Sequence, residues 1–276
     1  MHEVMTSYEQ RGFAVMDGVL PRGLITKLQD ELDRLIGGLM GLPAPDIDRH
    51  IVFEENPTAE RRDGIEAGKG DAAFIIGDLC RFSNVFRQLL SIEAIVSFAQ
   101  AALGSNDIVA HLMNATIKHP HIGRRIKWHR DYPNRYITSC ASDHLRAMIC
   151  LDGMVADGGA TRFIAGSHRI ADKRAAAQAH GKVPHAFDVH DGQAAICRPG
   201  SVVFIHPKVL HGSPANASPN LRRNIVLQLG RSDAPIVGER ESITGVAISS
   251  CSGAPVRASL ALSSTQDLDR WSNPIA

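Results

Sequence analysis

The sequence predicts a mostly β fold, an antiparallel sandwich or barrel with helices packed outside it. Three observations lead there. Short β-rich runs crowd the chain from about residue 108 onward, parted by Gly, Pro and Asn turns. An opening third with helical periodicity precedes them. Hydrophobic residues make up 44% of 276 positions and charged residues 21%, enough apolar surface to bury a sizeable core.

The elements follow in order. Gly12–Leu20 alternates as a short strand and ends in a Gly-Val-Leu-Pro turn. Pro21 suits the first turn of a helix, and Leu24, Leu28, Leu32 and Leu35 line one of its faces. Gly37 and Gly38 are expected to stop it. Residues 41–72, rich in Pro, Gly, Asp, Glu and Arg with little periodicity, read as an irregular surface segment serving as a lid. Phe86–Leu103 reads as helix, ended by Gly104. Strands are expected over Ile108–Ile117, Tyr136–Cys140, Ala147–Met154, Ser201–Ile205 and Asn224–Leu229, with a small surface helix over Ala171–His180. The polar, Ser-rich tail Ile236–Ala276 is expected to add a late strand and helix or to mediate association. No fixed repeat and no linker is visible, so one domain is expected over 1–276. It divides into a helical third to about 105, a β core over about 106–232 and an extension over 233–276.

Charge and cysteine usage exclude several classes. Thirty basic residues against 29 acidic ones leave a net charge of +1, which argues against a general nucleic-acid or membrane-surface binder. No apolar run reaches the length of about 18 residues that a membrane span needs. The first ten residues carry acids and no apolar stretch, so a secretory signal is not expected and the protein is placed in the cytoplasm. Cys80, Cys140, Cys150, Cys197 and Cys251 are scattered with no C-x-x-C pair, so reduced, core-packing thiols are expected rather than a disulfide framework or zinc knuckle. The chain is rich in histidine, with 13, and poor in aromatics, at 5%.

Two stretches carry chemistry. His129-Arg130-Asp131 follows Trp128, and residues two apart on a strand share a face, so the imidazole and the carboxylate can reach one metal ion. That donor pair suits Fe(II), Mn(II) or Zn(II). About one such triplet arises by chance in a chain with this many histidines and acids, so it needs a third ligand from elsewhere. The second stretch is Pro199-Gly200-Ser201-Val202-Val203-Phe204-Ile205, then His211-Gly212-Ser213-Pro214-Ala215-Asn216, then Arg222. A turn feeds an apolar strand, a histidine stands just past its end, and Gly212 allows close passage of the backbone. Arg222 opens the next strand and is able to clamp a carboxylate through two parallel hydrogen bonds. Between the two lie Asp157-Gly158-Gly159 and Gly166-Ser167-His168-Arg169, read as turn-rich spacers with His168 structural.

The order of these pieces resembles the phytanoyl-CoA dioxygenase (PhyH) family, Fe(II)- and 2-oxoglutarate-dependent oxygenases. The likeness runs from the strand at Gly12 to about Gly230. It implies a double-stranded β-helix, a jelly-roll, cupin-like core. It implies Fe(II) with 2-oxoglutarate and O2 as cosubstrates, and release of succinate and CO2. Residue by residue, it implies that His129, Asp131 and His211 are the iron ligands, and that Arg222 pairs with the distal carboxylate of 2-oxoglutarate with help from the Ser213 hydroxyl. Asn114 and Thr116 are further candidates for cosubstrate or substrate contact. Arg223 is the alternative clamp, but adjacent strand positions face opposite sides, so only one of the two arginines can serve. The carboxylate at Asp131 favours hydroxylation over halogenation, since halogenating relatives carry a small residue there.

The run from Lys118 to Arg135 is dense in positive charge around the metal triplet and reads as a field for an anionic substrate. Scarce aromatics count against a large flat or lipid-like substrate and against base stacking. The expected substrate is therefore a small polar anion such as an amino acid, a phosphonate or a reduced phosphorus oxyanion like hypophosphite. The alternatives are a natural-product scaffold or a CoA thioester, and, in other classes, a zinc hydrolase or metal-binding cupin-like protein, or a relative without activity. No nucleic-acid or membrane partner is expected.

Overall fold

The computed structural model describes residues 1–54, 72–133, 138–139, 141–178, 188, 190–234, 236–237 and 246–248. In chain order the elements are α1 (His2–Arg11), β1 (Phe13–Met16), α2 (Arg22–Gly38), α3 (Ala44–His50), β2 (Ile51–Phe53), β3 (Ala73–Ile76), α4 (Leu79–Phe82), α5 (Glu93–Leu103), β4 (Ile108–Lys118), β5 (Ile126–His129), β6 (Thr138–Ser139) and β7 (His144–Cys150). They continue with β8 (Arg162–Phe163), α6 (Asp172–Ala177), β9 (Gln193–Ala194), β10 (Ser201–Ile205), β11 (His211–Ser213), β12 (Arg222–Arg231), β13 (Ile236–Val237) and β14 (Val246–Ile248).

The larger sheet runs β1-β10-β7-β12-β4-β3-β2, with β14 also paired to β4, and the smaller runs β5-β11-β8-β9. The pairs β1–β10, β10–β7, β7–β12, β12–β4, β5–β11 and β11–β8 join strands distant in sequence, and all are antiparallel, which is the double-stranded β-helix with its jelly-roll crossings. The period of two sorts every long strand into two faces. Met113, Ala115 and Ile117 of β4 and Ile225, Leu227 and Leu229 of β12 join the core shared with the helices. The alternate positions face the smaller sheet, where Phe13, Met148, Cys150, Val203 and Ile205 meet Phe163.

Helix α2 lays Ile25, Leu28, Leu32 and Leu35 on the other face of the larger sheet, and α5 stacks Phe98 on Phe204 of β10 with ring centroids 3.7 Å apart. The helix runs through Gly37 and Gly38 instead of stopping there, and ends in a tight 3-10 turn over Leu39–Gly41. A glycine costs about 1 kcal/mol in a helix interior, and a helix anchored by four buried side chains tolerates two near its end. The helical stretch expected over Phe86–Leu103 is split: a 3-10 segment over Asn84–Ser91 is followed, after Ile92, by α5, which Gly104 ends in the left-handed region at φ 61°. Helix α1 was not foreseen, and the N-terminal third is not purely helical, since it supplies β1, β2 and β3 to the larger sheet. Of the segment 41–72, α3 and β2 are ordered elements and residues 55–71 lie outside the described residues, as does the lid expectation with them. Most of the expected strand over 136–140 and of the tail from 236 likewise lies outside; Thr138 and Ser139 pair with Val237 and Ile236. No helix among the described residues is long and apolar enough to cross a membrane.

Candidate active site

Strands β5 and β11 bring the metal-type donors together. His211 is the register partner of His129, their ring centroids lie 4.2 Å apart, and Asp131 follows two residues beyond His129. Gly212 makes this possible: a Cβ there would lie 2.9 Å from the Ile126 carbonyl oxygen, so only glycine lets β11 run this close to β5. One donor atom from each of His129, Asp131 and His211 falls within 4.8 Å of the others, a cluster of the size that holds one ion. His129 Nδ1 lies 2.9 Å from the Lys127 carbonyl and His211 Nδ1 lies 3.0 Å from the Val209 carbonyl. A carbonyl only accepts, so each Nδ1 carries the proton and each Nε2 presents a lone pair. Those Nε2 atoms face Asp131, at 3.6 Å from Oδ1 for His129 and 3.7 Å from Oδ2 for His211. Oδ2 is buried and has no hydrogen-bond partner, an unusual condition for a carboxylate oxygen that a cation would relieve. The donor set therefore fits a divalent first-row metal.

The electrostatics agree with a neutral His211 and a charged Asp131. Burial pulls His211 down to about 4, with His129 adding to it. Burial alone would raise the Asp131 pKa, but the Arg146 guanidinium, with His211 and His129, outweighs it and holds the carboxyl below the ordinary value. Phe163 stacks on the His211 ring at 5.6 Å.

A second cluster stands on the inner face of β4 and β12. Arg222 and Lys118 are register partners, 4% and 0% exposed respectively. Arg222 Nη1 donates to the Gly159 carbonyl, its Nε has no hydrogen-bond partner, and no carboxylate pairs with it among the described residues. Burial draws its pKa down to about 10, so it stays a cation at neutral pH. Lys118 Nζ donates to Ser213 Oγ at 2.7 Å and to the Pro214 carbonyl. Asn216, the last residue of the histidine motif, donates to the carbonyls of Lys118 and Asn220 and so ties the loop after β11 to the end of β4. Arg223 faces the other way: it holds Asp152 at 2.6 Å and Asp33 of α2 at 2.6 Å. It is spent on joining α2 to the sheet, which leaves Arg222 as the inward arginine.

Asn114 and Thr116 lie on the same inward face, register partners of Val226 and Asn224. Asn114 is buried and its Oδ1 has no hydrogen-bond partner. His168 Nε2 donates to the Glu9 carbonyl of α1, 3.1 Å away, in keeping with a structural role. Of the cationic run, Arg135 lies outside the described residues, and three of the other five cations are engaged inside the fold. Lys118 is buried, Arg124 pairs with Glu54 at 2.8 Å, and Arg130 reaches the Ser167 and Lys208 carbonyls, whereas Arg125 and Lys127 are exposed. Two inward residues escaped the sequence reading, Lys118 and Arg146. Both sit in the inward phase of otherwise apolar strands, and that phase was the available signal.

The comparisons agree with this architecture. The family model for Phytanoyl-CoA dioxygenase (PhyH) matches residues 8–224. Among solved structures, EctD from S. alaskensis with bound Fe is 19% identical with a TM-score of 0.66, covering 86% of this chain and 79% of that one. AviO1 from Streptomyces viridochromogenes Tue57 is 22% identical with a TM-score of 0.61, covering 85% of this chain and 96% of that one. The non-heme α-ketoglutarate-dependent carbocyclase SnoK of nogalamycin biosynthesis is 18% identical with a TM-score of 0.64, covering 85% of each. No curated protein matches in sequence. At these identities the structures share the fold, and the family model, spanning most of the chain, adds the chemistry: the protein belongs to the phytanoyl-CoA dioxygenase family and is a 2-oxoglutarate-dependent non-heme iron oxygenase.

Proposed function

We propose that this oxygenase hydroxylates a small, polar, anionic substrate, with Fe(II) held by His129, Asp131 and His211 and the distal carboxylate of 2-oxoglutarate held by Arg222 and Ser213. The carrying observation is Arg222: a buried, inward guanidinium with an unpartnered Nε and no carboxylate of the described protein upon it. Burying such a charge uncompensated is costly, and a ligand carboxylate is the natural partner. When bound, Fe(II) with 2-oxoglutarate and O2 supplies the oxidising power for C–H hydroxylation, with succinate and CO2 released.

The chain's own residues do the rest. Lys118 orients the Ser213 hydroxyl through its Nζ contact, so that the oxygen's proton is free to point at a carboxylate. The Lys127 and Val209 carbonyls keep both imidazoles in the ligating tautomer. Asn114 and Thr116 offer an amide and a hydroxyl on the inner wall. The inward positions of β4, β7 and β12 carry polar, sulfur-bearing and aliphatic side chains, and the rings among them are the imidazoles of His111 and His144. That lining supports a small polar substrate over a flat polycyclic one. The exposed Arg125, just before β5, and Lys127, on it, support an anion.

The test is anaerobic addition of Fe(II) and then 2-oxoglutarate, followed by visible absorbance, then succinate release with amino acids, phosphonates and reduced phosphorus oxyanions. A weak charge-transfer band that needs both additions, and stimulation by a small anion, are the expected results. No band with iron bound would sink the site assignment. Stimulation by bulky neutral scaffolds alone would replace the substrate class.

A further inference from the structure

The two oxygens of Asp131 are treated differently. Oδ1 receives Arg146 Nη1 at 2.6 Å and lies 3.6 Å from His129 Nε2, whereas Oδ2 lies 3.7 Å from His211 Nε2 and has no hydrogen-bond donor upon it. Arg146 is itself aimed. It stands opposite Gln228 in the β7–β12 register, and its Nε donates to Gln228 Oε1 at 3.2 Å. The amide nitrogen of Gln228 therefore turns to His111, 3.0 Å from Nδ1. The His111 ring backs onto Gly230, where a Cβ would lie 2.4 Å from Cε1, so the ring has no room to swing away. Asp131, Gln228 and His111 are each 1% exposed or less, and the Arg146 side chain is 11% exposed. The chain His111–Gln228–Arg146–Asp131 is thus a buried, continuous set of hydrogen bonds that ends on one oxygen of the carboxylate.

A free carboxylate can bind a metal through one oxygen or both. A third protein ligand that takes two positions would leave too few for a bidentate cosubstrate and O2. We propose that Arg146 is a positioning residue that keeps Asp131 a one-oxygen ligand: by engaging Oδ1 with a charged hydrogen bond, with Gln228 fixing its plane, it leaves Oδ2 as the carboxylate oxygen with no protein donor and so the one that takes the metal. The inference rests on His129, Asp131 and His211 being the metal ligands. It assigns to Arg146 and Gln228 control over the room left for 2-oxoglutarate.

Cobalt(II), added to the full-length protein without O2, reports coordination through its visible spectrum. The parent should bind it and show a spectral change on adding 2-oxoglutarate, and Asp131→Ala should not bind it. Arg146→Met should still bind cobalt, show an altered spectrum before any 2-oxoglutarate, and need at least about tenfold more 2-oxoglutarate for the change, in line with other outer-shell partners of metal ligands. Arg146→Lys, which can still reach Oδ1, should recover part of the difference, and Gln228→Met should shift the same way by less. If Arg146→Met fails to fold by circular dichroism, Gln228→Met decides. Parent-like spectra and parent-like titrations in the folded variants would overturn the inference while the ligand assignment stands. So would loss of cobalt binding by Arg146→Met, since Arg146 would then be needed for binding itself. A parent that binds no cobalt overturns both.

Discussion

Two adjacent arginines at the start of β12 face opposite ways, because a strand sends neighbours to opposite faces, and the proposed function gives cosubstrate recognition to the inward one. Arg222 points inward without a carboxylate among the described residues, and Arg223 points outward onto Asp152 and Asp33. Arg222→Ala should therefore raise the half-saturating 2-oxoglutarate concentration about a hundredfold, the loss of two charge-assisted hydrogen bonds at about 1.5 kcal/mol each, and leave metal affinity nearly intact. An unchanged 2-oxoglutarate titration would move the clamp elsewhere. At Asp131 the expected loss is of a different kind. The parent should gain thermal stability on adding Fe(II) without O2, because a ligand that binds only the folded state raises Tm. Asp131→Ala should abolish that rise while keeping a cooperative transition. A rise of parental size in the variant would remove Asp131 from the ligand set.

At the scale of elements, Arg223 ties the start of β12 to Asp152, a pair with side chains 10% and 16% exposed, and reaches Asp33 of α2, which is 57% exposed. Removing one partner of a largely buried ion pair leaves the other uncompensated, so Arg223→Ala should cost about 3 kcal/mol in denaturant unfolding and leave the 2-oxoglutarate titration alone. A loss below about 1 kcal/mol would mean the pairs are solvated. Legibility in the sequence follows the same physics. Helix α2 was legible because its leucines repeat at helical spacing, and β4, β10 and β12 because apolar residues cluster between turn signals. Helix α1 was not legible: Val4, Met5 and Tyr8 are the few apolar residues it offers to the core. The break at Ile92 was hidden because 3-10 and α segments present similar short-range apolar spacing. The donors His129, Asp131 and His211 were legible through motif order, and the structure brings them within reach of one ion. Lys118 and Arg146 were hidden because a charged residue in sequence reads as surface, and only strand phase and pairing reveal it as interior.

Across the whole molecule, the wealth of histidine becomes a prediction about acid stability. His50, His111 and His144 are each 3% exposed or less. Burial lowers His50 to about 4, helped by Arg49 and Arg81 against Asp46, and burial lowers His111 to about 4. It lowers His144 to about 3, with His111 and Arg146 adding to it against Asp131. In the unfolded chain such imidazoles titrate near about 6.5. Below that value the unfolded state binds protons that the folded state refuses, so stability falls as pH falls. Above about 6.5 both states hold neutral rings and the stabilisation is fully present. Each ring that stays neutral costs about 1.4 kcal/mol per unit of pH in that window, and the loss levels off only near the folded values of about 4 for two of the rings and about 3 for the third. The metal-free protein, treated with a chelator, should therefore show a Tm that is flat from pH 7 to 8 and falls steeply from about pH 6.5 towards 4. His111→Gln, which keeps an amide near Gln228, should flatten that slope by about one proton's share. A Tm indifferent to pH across this window would mean that these histidines are already protonated in the folded state, and that the buried chain ending at His111 carries a charge.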